Sequence, residues 1–189
     1  MINRTLIRLK IVQLVYSYYQ NGGKNIDTAE KELLFSLSKA YDLYNYLLML
    51  IIAVTRFAEE QVERQERNNK ISHNNQVVNR RFIENKFVQQ LEMNKQLIDF
   101  KETQKKSWDN DKDYIKSLYN KIVTSDFYKE YMSAEENDYA TDREVWRKIY
   151  KTIIMKDEDI DNVLEEQSLY WNDDKEVVDT FVLKTIKRF

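Results

Sequence analysis

Residues 27–67, DTAEKELLFSLSKAYDLYNYLLMLIIAVTRFAEEQVERQER, decide the fold. Leu33, Leu37, Tyr44, Leu48, Ile51 and Val54 recur at the three- and four-residue steps of a helix, which lines them along one side of a 3.6-residue turn. Asp27, with Glu30 three residues on, is a cap-and-return pair that starts the helix. Favourable residues continue to Arg67, so the stretch predicts one helix of roughly 40 residues and about 60 Å, or two that part near 44–46. Its longest unbroken apolar run, YLLMLIIAV at 46–54, is nine residues. That is too short to span a bilayer and reads as a helix buried in a core.

Composition extends this reading to the whole chain. There are no prolines and two glycines in 189 residues, far below the usual share of roughly 5 and 7 per cent. Long helices need neither residue, whereas sandwiches and α/β folds place both in their turns. The expectation is all-α: a multi-helix bundle of about seven to nine helices, one of them very long, with no sheet. Charged residues make up 33% and aromatics 13% of the chain, enough large apolar groups to build a core. With no cysteine, disulfides and thiolate chemistry are out of reach.

Downstream of the long helix, residues 68–79 hold five asparagines and the single histidine, His73, and predict a loop. A third helix is expected over 80–106, burying Phe87, Leu91 and Ile98 with Phe82 near its start. Shorter helices follow at 111–123, 125–132, 141–155, 157–170 and 173–189, and Thr141 with Glu144 and Asp173 with Glu176 repeat the cap-and-return spacing. Trp146, Ile149, Tyr150 and Ile153 form one stripe for burial. The organisation is thus 1–67 as N-terminal helices, 68–79 as a loop and 80–189 as a further helical region.

Upstream, Asn21, Gly22 and Gly23 end a first helix that reads RTLIRLKIVQLVYSYYQ over 4–20. Ile7, Ile11, Leu14, Val15 and Tyr18 make its apolar stripe; Arg4 and Arg8 sit one turn apart on another face, with Gln13 and Tyr16 further along. Guanidinium groups pair with phosphates through parallel donors, and an aromatic ring can stack on an unpaired base. Arg4 and Arg8, with the Tyr16 ring, therefore suit contact with RNA.

The order Arg8, Gln13, Tyr16, Ser17, with Arg4 one turn earlier, resembles the opening helix of the NusB-type transcription antitermination factors. The resemblance implies an all-helical, RNA-binding protein of bacterial transcription. Its partners would be single-stranded boxA-type RNA, the ribosomal protein that doubles as NusE, and the RNA polymerase antitermination complex. Under it Arg4 and Arg8 contact phosphates, Gln13 orients or hydrogen-bonds, and Tyr16 joins the RNA or partner face. The chain is most similar to the long, expanded form of the family, and its last helix still runs at Phe189, so a C-terminal lobe is expected beyond it.

Charge is uneven along the chain. Residues 61–108 carry ten Lys and Arg against six Asp and Glu, whereas 109–189 carry thirteen against twenty. Phosphate binding belongs to the N-terminal half, and the acidic half suits a basic partner. Asp157, Asp159 and Asp161 alternate like calcium-loop ligands, but Asn162 and Ser168 stand where such a loop needs Gly and Glu; helix capping is the reading for them. No phosphate-binding loop or nucleophile elbow occurs. The expectation is a cytoplasmic, non-enzymatic protein without cofactor or metal and with no membrane segment. The rival reading is a helical protein-protein interaction module; a helical enzyme would need a carboxylate-lined pocket.

Overall fold

A computed structural model describes residues 4–20, 22, 25–74, 76–135 and 138–189. Among these it is all-α, with nine helices and no strand: α1 Arg4–Gln20, α2 Ile26–Ile71, α3 Lys86–Glu92, α4 Lys95–Gln104, α5 Lys112–Thr124, α6 Asp126–Ser133, α7 Tyr139–Thr152, α8 Asp159–Gln167 and α9 Lys175–Arg188.

α2 is the axis of the molecule. Its 46 residues run without a break, about 69 Å at 1.5 Å per residue. The 44–46 region does not part, because that is where the helix is most deeply packed: Leu43, Tyr46, Leu47, Leu50, Ile51 and Val54 are all fully buried. α1, α3, α4, α5 and α9 pack directly on α2, and α7 forms a second layer against α3, α6 and α9. Two tryptophans from distant segments bind α2's own carbonyls, Trp108 Nε1 donating to Tyr46 O at 2.9 Å and Trp171 Nε1 to Lys39 O at 3.0 Å. Both rings lie against Tyr46, at 4.3 and 5.0 Å between centroids.

By length and composition α2 could cross a membrane, a possibility that the nine-residue run alone conceals. In the fold, 61% of its most apolar window is buried against other helices, so its apolar surface is used for the core.

Several boundaries differ from the sequence reading, each for a local reason. Asn25, not Asp27, caps α2: its side chain accepts from Asp27 N at 3.2 Å. α2 extends past Arg67 to Ile71, so the irregular stretch begins later, at Ser72, and continues to Asn85; Asn75 of the expected loop lies outside the described residues. The single helix expected over 80–106 is two, because Asn94 caps a new one by accepting from Gln96 N and Leu97 N. Ile98 then lies 42% exposed, although Phe82, Phe87 and Leu91 are buried as expected. α7 is capped by Asp138, whose carboxylate accepts from Thr141 N at 2.6 Å, and not by Thr141. A short 3₁₀ turn, Asn172–Asp174, takes the place of the expected start of α9. Asn21 and Gly23 lie outside the described residues; between them Gly22 adopts φ +72°, the left-handed conformation that only glycine takes at little cost.

The largest polar node in the core joins α3, α6 and α7. Asn85, fully buried, accepts from Val88 N at 3.1 Å and donates to Asp142 O at 3.0 Å. The Asp142 carboxylate accepts from Lys86 N at 2.8 Å and from the Tyr131 hydroxyl at 2.7 Å. Every strong polar group of this node has a partner, as burial requires.

Candidate nucleic-acid interface

α1 interleaves polar and apolar residues. Along its 17 residues Arg4, Arg8 and Lys10 are the only charged groups, and Thr5, Gln13, Ser17 and Gln20 are polar, with apolar or aromatic residues standing between them around the axis. The side it buries is turned away from the centre of the expected stripe. Leu6 and Lys10 are its buried residues, with Ile7, Leu14 and Tyr18 half-buried beside them. Ile11 and Val15, expected to be core, are 42% and 46% exposed.

The physical reason is an ion pair. Lys10 Nζ lies 2.6 Å from an Asp174 carboxylate oxygen, with the two side chains 4% and 0% exposed. Burial pushes the Asp174 carboxyl above the usual carboxylate range, and Lys10 pulls it back. A buried carboxylate without a counter-charge is very costly. Lys10, reaching inward, supplies that counter-charge.

With Lys10 inward, Arg8 is carried about 200° around the helix and faces solution, with Arg4 only about 40° from it. Both arginines are exposed, and neither makes an ion pair among the described residues. Tyr16, 67% exposed, lies about 80° from Arg8 on the same outward half, and its hydroxyl accepts from Gln20 Nε2 at 2.8 Å. Tyr19, which the sequence reading passed over, is 78% exposed and stands between them, edge-on to Tyr18. Gln13 is not part of this cluster. It is exposed but turned about 140° from Arg8, toward a groove of about 430 Å³ that it lines with Leu14, Leu33, Phe35 and Tyr170.

Compared with known proteins, the chain matches no family model, no curated protein and no solved structure.

The aspartates at 157, 159 and 161 have structural partners. Lys121 Nζ bridges Asp157 at 2.8 Å and Asp159 at 3.0 Å, while Asp161 lies 3.9 Å from Lys175. Asp157 also accepts from Asp159 N at 3.2 Å, a capping contact ahead of α8. His73 is exposed in the turn after α2 with φ +51°. Trp108, Trp146 and Trp171 are buried in the core. A separate cavity of about 220 Å³ opens between α2, α4 and α5, with Met49, Phe57 and Ile115 in its wall and the Arg56–Glu92 pair at 3.0 Å beside it. None of the four candidate RNA-binding residues lines it.

Proposed function

We propose that this chain is a single-stranded RNA-binding protein of the NusB type, which works in the cytoplasm of a bacterium without catalysis. It would hold boxA-type RNA together with a NusE-type ribosomal protein in the RNA polymerase antitermination complex. The observation that carries the reading is the outward half of α1: Arg4 and Arg8 are exposed without carboxylate partners among the described residues, beside the exposed rings of Tyr16 and Tyr19. Unpaired guanidinium groups attract phosphates, and tyrosine faces stack with bases of a single strand. The order of residues that resembles the NusB opening helix lies in this same element. Gln13, on another side, would serve the ribosomal-protein contact and not the RNA.

A second reading is a helical protein-interaction module, favoured by Ile11, Val12 and Val15, which stand exposed among the arginines. An apolar protein contact is insensitive to salt, whereas phosphate binding weakens steeply with it. Ultraviolet crosslinking of a short fluorescent single-stranded RNA, followed by peptide mapping, tests the assignment. The proposal expects crosslinks on Tyr16 or Tyr19; crosslinks confined to helices other than α1 would overturn it.

A further inference from the structure

We infer that the Lys10–Asp174 pair is a positioning latch that sets which side of α1 faces solution. The pair touches no ligand in this role; it acts by fixing the rotation of the helix about its own axis.

Three observations carry this. α1 scatters its apolar residues around the axis among polar ones, so hydrophobic burial alone leaves its rotation poorly specified. Its regular apolar stripe, Ile7, Ile11, Leu14, Val15 and Tyr18, is nevertheless not centred on the buried side; Ile7, Leu14 and Tyr18 are half-buried at its flank and Ile11 and Val15 are exposed, while Leu6 and Lys10 are enclosed. And the enclosed lysine meets a fully enclosed carboxylate from the turn before α9. Buried ionic groups are poor sources of stability, yet they discriminate between packing arrangements that apolar contacts cannot tell apart. Rolling α1 by roughly a quarter turn would bury the regular stripe. It would also separate Lys10 from Asp174 and leave two charges without partners in the interior. The roll is thereby blocked.

The same latch decides the outward set. A quarter-turn roll would bring Arg4 to the edge of the α1–α2 contact and draw Ile11 inward, so only the latched setting leaves Arg4 and Arg8 both in solution. This bearing on RNA rests on the proposed function; the latch itself does not, and it is tested without RNA.

The chain has no cysteine, so a single introduced thiol reports on one position. Leu6→Cys and Ile11→Cys would each be made in three backgrounds: the natural pair, Lys10→Met with Asp174→Leu, and Asp174→Asn alone. Labelling with a maleimide is followed over time, and circular dichroism checks that helicity is kept. With the natural pair, Ile11→Cys is expected to label at least ~100-fold faster than Leu6→Cys, since a buried thiol reacts only through local opening. In the Lys10→Met, Asp174→Leu protein, which keeps an apolar pair in place of the charges, the ratio is expected to fall below ~10 or to invert as α1 rolls. An unchanged ratio in that folded protein would overturn the latch. If that variant does not fold, the Asp174→Asn protein decides in the same way: a ratio that collapses supports the latch, and one that persists contradicts it. A merely structural pair would alter overall stability and slow or speed both thiols together, without changing their order.

Discussion

Arg8 and Lys10, two positions apart on α1, face opposite ways: Arg8 is exposed, and Lys10 is 5% exposed against Asp174. Two cations of one short helix thus divide between solution and interior. The division follows from where the countercharge stands, because a carboxylate at the buried turn before α9 can be neutralised only by a cation reaching inward.

The Asn85 node makes a prediction about stability. Asn85→Ala would remove the α3 cap and leave Asp142 O and the Tyr131 hydroxyl short of a donor. Loss of a cap plus a newly unpaired buried group should cost about 2–4 kcal/mol. Urea denaturation should show a lower midpoint with the slope unchanged; a midpoint equal to that of the natural protein would show that the node carries little.

Trp146 and Trp171 are both fully buried, but among the described residues only Trp171 has a partner for its indole N–H. Replacement by Phe should therefore separate them. Trp171→Phe loses the bond to Lys39 O and the contact of Lys106 with the ring face at 4.6 Å, whereas Trp146→Phe removes an unpaired donor along with its volume. The Trp171 variant is expected to be less stable than the Trp146 variant by about 1–3 kcal/mol. Equal losses in thermal or urea unfolding would contradict the assignment of these hydrogen bonds.

Two carboxylates contribute stability that acid removes. Hydrogen bonding from Thr141 holds Asp138 below the usual carboxylate range, and the Arg147 side chain does the same for Glu144. A group whose folded pKa is depressed stabilises the fold above its unfolded value, and that contribution is lost as pH falls through the folded one. Stability should thus decline on acidification through and below the ordinary carboxylate range. Asp138→Asn keeps a capping acceptor but cannot titrate, so its melting temperature should fall less on acidification. An acid-induced loss as large as that of the natural chain would exclude Asp138 as a contributor.

How far the sequence could be read depended on how far apart the interacting residues lie. Local terms were legible: the lack of proline, the scarcity of glycine and the period of Leu33 to Val54 specify α2 and an all-helical chain. The split between α3 and α4 was available in Asn94, a good capping residue set between two apolar turns, but a continuous period hid it. Arg4, Arg8 and Tyr16 reach solution, but on a rotation of α1 other than the one the stripe from Ile7 to Tyr18 suggests. The buried face of α1 was not legible, because the residue that selects it, Asp174, lies at the other end of the chain and nothing in the order of α1 announces it. Gln13 separates from the arginines for the same reason, since its direction depends on that rotation.

The salt dependence of RNA binding by the protein with Arg4 and Arg8 both replaced by Ala tests the central claim most directly. Both side chains point away from the core and alanine favours helix, so the fold should be kept. If each arginine neutralises one phosphate, the slope of log affinity against log salt should flatten by about 1.4 in the double variant, at about 0.7 per contact for a single strand. The affinity itself should drop most at low salt. Measured by fluorescence anisotropy on a short single-stranded RNA, with a NusE-type ribosomal protein present, that flattening is what the account predicts. An affinity and slope equal to those of the natural chain would contradict it and leave α1 as a surface for protein partners.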